Sequence, residues 1–207
     1  MTYVDDAILM ARDEALLQKV LDELKGHGYD FSHDGDFKSY LGVQLDTLEY
    51  GSLRLSQPHL ICSFVDSIGL GDAASVYTPS VGPLFRYPDS QPHDKSFNYR
   101  SAIGMLQYLG QNTQPDCSYA ITSCSRYCID PKLPHTVAVK CIARYLKSSM
   151  TQGIIFKLDL DNLAIDCHCD ADYAGNWNLA DPENAEGIKL HTGFLPIFAG
   201  VPLLWKS

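Results

Sequence analysis

The 207-residue chain carries 25 acidic and 16 basic side chains, a formal charge of −9, with 45% hydrophobic and 20% charged residues. That content supplies a core for one large domain or two small ones and excludes wholesale disorder. The acidic balance argues against a stand-alone nucleic-acid binder, because phosphate affinity is built from lysine and arginine.

The chain opens "MTYVDDAILM", with adjacent carboxylates at Asp5 and Asp6 and no basic-then-apolar secretory segment after Met1. Neighbouring like charges repel and are costly to desolvate, so they are either solvated or gathered around a cation. A strand, a tight turn bearing both aspartates and a second strand would hold them at a hairpin tip. "AILM" reads as a buried strand, and "RDEALLQKVLDELKGHG" switches to helical periodicity, with Leu16, Leu17, Val20, Leu21 and Leu24 on one face. Asp13 is the expected N-cap, and Gly26 and Gly28 the stop.

Alternation of Tyr40, Gly42 and Gln44 against Leu41, Val43 and Leu45 predicts a strand, turned by "EYGS" into a second one. Ser56 is the expected cap of a helix through "PHLICSFVDSIGL". From about residue 72 to 96, Pro79, Pro83, Pro88 and Pro92 predict an extended connection. Three helices are then predicted in "FNYRSAIGMLQYLGQ", "DCSYAITSCSRYCI" and "PHTVAVKCIARYLKSS". On the last, Lys140, Arg144 and Lys147 form one basic stripe, placed opposite Val137, Cys141 and Ile142. A solvated face is the ordinary reading of such a stripe; phosphate contact is the functional one.

Strands return in "GIIFKL", "LAIDCHCDADYAG", "TGFLPIFAG" and "PLLWKS". The apolar stretch "GFLPIFAGVPLLW" is too short to span a bilayer and is broken by Pro196, Gly200 and Pro202. Seven cysteines without a Cys-x-x-Cys pair indicate reduced, mostly buried thiols and no disulfide framework. "CHCD" does not indicate a structural zinc, since adjacent strand residues face opposite ways and a second ligand pair is missing.

"YVDD", followed by an apolar run and an amphipathic helix, resembles the polymerase signature of reverse transcriptases. "YLGVQLD", "LRLSQPHLI", "YTPS", "YRSAIGMLQYLGQNTQPDCSYAITSCSRY", "PHTVAVKCIARYLKSS", "GIIF", "CDADYAGNW", "TGF" and "PLLWKS" then follow in the order of copia-type retrotransposon polyproteins. The resemblance covers nearly the whole chain, and the block from Tyr99 to Lys147 is its most specific part.

It implies an α+β fold: the end of a reverse-transcriptase palm with thumb and connection helices, then an incomplete ribonuclease H-like sheet. The expected segments are 1–71 for palm and thumb-like region, 72–98 for a linker, 99–152 for a helical connection, and 153–207 for the first ribonuclease H strands. Asp5 and Asp6 would be palm carboxylates binding catalytic magnesium, with Tyr3 and Val4 shaping the site beside the primer end. Asp170 would be the first metal-binding aspartate of the ribonuclease H fold, while Asp172 is a nearby acid to which no role carries over.

The chemistry implied for the intact parent is two-metal phosphoryl transfer on an RNA or DNA primer-template. Upstream palm and fingers and later ribonuclease H acids would lie outside these residues, leaving both metal sets incomplete and the isolated chain inactive. "NWNLADPENAEGIKL" is longer and more acidic than the basic, serine-rich family pattern at that point. An intracellular place is implied, in cytoplasm, virus-like particle or nucleus, with no membrane. Two other outcomes fit the residues: a nucleic-acid-binding remnant using Tyr3, Lys140, Arg144 and Lys147 without catalysis, and a degenerate, non-functional reading frame.

Overall fold

The computed structural model describes residues 2–3, 6–32, 38–172, 177, 179, 182 and 191–207, with the backbone alone at Thr2, Tyr3, Asp6 and His191. The chain divides into two compact units, Met1–Lys38 and Ser39–Ser207.

In the first unit, β1 (Thr2–Tyr3) pairs antiparallel with β2 (Asp6–Ala7). Of the "AILM" run only Ala7 lies in a strand, and Leu9 and Met10 are exposed. A pair of two-residue strands offers no sheet face broad enough to bury them. The helix α1 spans Glu14–Gly26 as its apolar spacing predicts. Asp13 Oδ1 accepts from the Leu16 amide at 2.8 Å, satisfying one of the four free N–H groups of the first turn. Past its end, Gly28 takes a positive φ of 84°.

The second unit opens with a four-stranded antiparallel sheet, in the order β3 (Ser39–Tyr40), β4 (Val43–Thr47), β5 (Leu53–Ser56), β6 (Ile154–Phe156). The alternation from Tyr40 to Leu45 is therefore not one strand. Leu41 and Gly42 both adopt positive φ, 50° and 76°, the two-residue turn that matches strand twist, and the chain reverses there. The "EYGS" turn joins β4 to β5 as expected, through Tyr50 and Gly51 at φ 58° and 73°. Asp46 and Arg54 face each other across that hairpin, 2.9 Å apart.

Four helices follow: α2 (Pro58–Ser67), α3 (Tyr99–Asn112), α4 (Ser118–Ser125) and α5 (Leu133–Ser148). Ser56 does not cap α2; it ends β5, and Gln57 precedes a Pro58 whose missing N–H suits a first helical turn. Asn98 does cap α3, accepting from Ser101 N at 3.0 Å. Ile61, Phe64, Leu106, Leu109, Val139, Ile142 and Leu146 are fully or almost fully buried where these helices meet. Each such side chain contributes about 1.5–3 kcal/mol relative to exposure.

Residues 72–98 contain no helix or strand, yet they are sewn to the helices. Leu84 and Phe97 are buried, and Tyr127 OH donates to the Leu84 carbonyl at 2.8 Å. His135 lies wholly buried on α5, its ring stacked at 4.0 Å on Tyr127. The Lys132 amide donates to its Nδ1 at 2.9 Å, so Nε2 bears the proton and donates to Phe85 O at 2.7 Å. Burial holds its pKa below the usual imidazole range.

A three-stranded antiparallel sheet completes the unit: β7 (Ile165–Asp172), β8 (His191–Phe198), β9 (Val201–Pro202). Pro196 sits inside the central strand without breaking it. Its carbonyl accepts from Leu203 N at 2.9 Å, so the position of its missing N–H faces the β9 side and the β7 ladder loses no donor. Beyond β9, Trp205 Nε1 donates to Gly110 O on α3 at 2.6 Å, and Thr122 Oγ1 on α4 donates to Ser207 O at 3.1 Å.

Candidate functional site

Three places carry the predicted site residues. The first is the β1–β2 pair, where Tyr3 and Asp6 are direct register partners. Sheet pairing thus fixes the backbone of the second aspartate opposite the aromatic position of "YVDD". Asp5 and Val4 lie outside the described residues, as do the side chains of Tyr3 and Asp6.

The second is β7, exposed along its whole length. Asp170 pairs with Gly193 and Asp172 with His191, and period-two geometry puts His168, Asp170 and Asp172 on one face. Magnesium requires several oxygen ligands in near-octahedral array, some from water and phosphate. Among the described residues, no three His, Cys, Asp or Glu side chains converge to hold a metal ion. Those residues therefore do not by themselves make a magnesium site, and no catalytic step is assigned to them.

The third is the basic stripe of α5. Lys147 Nζ donates to the carbonyls of Gly71 and of Ala73, the latter at 3.0 Å. Arg144 Nε donates to Ala74 O, and its own carbonyl accepts from Val76 N at 3.4 Å. Lys140 stands 3.8 Å from Asp94 and over the Phe97 ring. All three cations face the 71–97 segment, Arg144 and Lys147 holding its main chain against the helix and Lys140 meeting its side chains.

Val137 and Cys141 belong on that same side, not opposite it. Val137 is exposed and Cys141 Sγ reaches Thr78 O at 3.6 Å, while the buried face runs through His135, Ala138, Val139, Ile142, Ala143 and Leu146. At 100° per residue, positions 137, 140, 141, 144 and 147 cluster within one third of a turn and Ile142 falls across from them.

Two features went unread in the sequence. A half-buried His93 and a buried His135 organise the strap formed by residues 71–97, His93 bonding Thr136 Oγ1 at 2.7 Å and Phe97 O at 2.8 Å. The cysteines are also less buried than expected: Cys117 and Cys124 are buried, but Cys62, Cys167 and Cys169 are exposed. Burial pushes the Cys124 thiol up to about 12, which makes it inert. The signal for the exposed pair was the spacing Cys-x-Cys on a strand, which puts both sulfurs on one face.

Among the described residues no helix is long and apolar enough to cross a membrane. No family model and no solved structure matches the chain. Among curated proteins, it is similar to two retrovirus-related Pol polyproteins from Arabidopsis thaliana, those of transposons RE1 and RE2. They are 31% identical over 199 residues and 30% over 198 residues. The matches cover 95% of this chain and 13% of each polyprotein. The putative transposon Ty5-1 protein of Saccharomyces cerevisiae is 24% identical over 206 residues, 99% of this chain and 64% of that protein.

Proposed function

Because the chain belongs to the copia-type retrotransposon Pol polyproteins, we propose that it is the stretch joining the end of a reverse-transcriptase palm to the first strands of a ribonuclease H domain. The observation that carries this reading is the extent of the match, nearly the whole chain against a small share of each transposon polyprotein. The order of motifs from "YVDD" to "PLLWKS" supports it.

In the intact polyprotein, Asp5 and Asp6 would be palm carboxylates and Asp170 the leading ribonuclease H aspartate, all toward magnesium, with a primer-template as partner. The chemistry such cations supply is activation of the attacking hydroxyl and stabilisation of the leaving oxygen. The same proposal extends to the 207-residue polypeptide by itself, which is expected to perform neither reaction. Intracellular residence follows from the same reading.

Contact with nucleic acid through Lys140, Arg144 and Lys147 is not adopted, since those cations are already engaged by the strap. The test is primer extension and hybrid cleavage by the purified 207-residue polypeptide with magnesium. No product above that of an Asp5→Asn/Asp6→Asn variant is expected. Extension abolished by Asp5→Asn would overturn the inactivity of the isolated chain.

A further inference from the structure

On β7 the sulfurs of Cys167 and Cys169 lie 3.4 Å apart, on a strand that is exposed throughout. Both face the same way, opposite Pro196 and Phe194 of β8. A pair so placed has two conceivable uses, a disulfide or a shared atom between the sulfurs.

Strand geometry disfavours the disulfide. Residues two apart on an extended strand have Cα atoms about 6.6–6.8 Å apart. That is the upper end of the roughly 4.4–6.8 Å spanned by disulfides, whose commonest value is near 5.5–6 Å. Closing the bond would bend a strand whose eight residues are all in register with β8. An atom bridging the two sulfurs requires no such bend. For a tetrahedral centre with bonds of about 2.3 Å to sulfur the two sulfurs stand ~3.8 Å apart, and a pyramidal trivalent arsenic, with narrower angles, brings them closer, toward the observed spacing.

A closed zinc site is a different matter. Among the described residues no third or fourth ligand converges on the pair, so the group bound must be satisfied by two thiolates. We propose that Cys167 and Cys169 form a solvent-open dithiol site on β7 that takes up one trivalent arsenical between its two sulfurs. The site is independent of any polymerase or ribonuclease H role for the chain.

In uptake of an arsenoxide, two arsenic–sulfur bonds form while the arsenic–oxygen double bond and two S–H bonds break. Both protons leave with the oxygen as one water, and arsenic stays trivalent. The hydrogen bond with Cys169 pushes the Cys167 thiol up from its ordinary value.

The probe is phenylarsine oxide, read by intact mass in the presence of a monothiol competitor. One adduct per chain is expected, resistant to 2-mercaptoethanol and stripped by 2,3-dimercaptopropanol. Two-point attachment raises affinity by about 100-fold or more over one thiol. Cys167→Ser and Cys169→Ser should therefore each lose the resistant adduct by that factor, and Cys62→Ser, the other exposed thiol, should keep it. Both cysteines are exposed, and unchanged far-ultraviolet dichroism of the variants checks that β7 survives. A resistant adduct persisting in the double variant, or none on the native chain, overturns the proposal.

Discussion

Gly153 lies directly against the backbone of Leu55: a Cβ at Gly153 would stand 1.9 Å from the Leu55 carbonyl oxygen and 3.2 Å from Ser56 Cα. Those atoms are main chain of β5 and cannot rotate away. Gly153 immediately precedes β6, so this approach is what lets the incoming strand pair with Leu53, Arg54 and Leu55. Gly153→Ala should destabilise the second unit by about 3 kcal/mol, the upper range for overpacking. A fall in urea midpoint with lost amide protection at Ile154 and Ile155 checks it.

Gly110 presents the softer version of the same constraint. A Cβ there would meet Ile121 Cδ1 at 2.8 Å, the far end of a flexible side chain. Alanine gains roughly 1 kcal/mol of helix propensity but forces Ile121 aside, and a net loss of about 1 kcal/mol is expected. Ile121→Val removes the offending methyl, so the double variant should be less destabilised than the sum of the singles. Additive denaturation energies would remove this account of α3–α4 contact.

His135 makes stability depend on pH. Its folded pKa is depressed by burial, so the unfolded chain, titrating near 6.5, binds the extra proton first. The stabilisation is complete above about pH 6.5 and declines as pH falls from there toward the depressed folded value. Urea midpoints between pH 7.5 and 5.5 should therefore fall on acidification. His135→Gln should lower stability by about 1–3 kcal/mol at neutral pH, by stranding buried partners, while flattening that slope.

The α5 cations are expected to report on the strap. Arg144→Met and Lys147→Met should each cost about 1.5 kcal/mol, the low end for charge-assisted hydrogen bonds. Faster hydrogen exchange at Val76, whose amide donates to Arg144 O, would accompany the arginine change. Affinity for an RNA–DNA hybrid should show a flat salt response and no change in Lys140→Glu; a steep one would restore phosphate contact.

The helices were readable because burial in them follows a local period. Leu106 and Leu109, or Ile142 and Leu146, sit where 3.6-residue spacing puts them, and Asp13 caps as its chemistry requires. The Leu41–Gly42 reversal was not readable, because Leu41 is a poor residue for positive φ and its carbonyl is held by Tyr108 OH at 2.6 Å, a contact 67 residues away. The α5 stripe was found, but the partners of Arg144 and Lys147 are main-chain carbonyls, which no side-chain pattern announces. Of the acidic positions, Asp170 was placed on a strand correctly from alternation, whereas the grouping of carboxylates depends on residues far apart in the chain.

Two attachments in the second unit join residues separated by about half the chain: Leu55 with Ile154, and Gly110 with Trp205 across 95 positions. A ribosome delivers the earlier partner long before the later one. The edge of β5 and the carbonyl seat on α3 must wait exposed through that interval, and only after Trp205 clears the exit tunnel can the assembly close. Late closure, with a need for chaperone shelter in the meantime, is built into this topology.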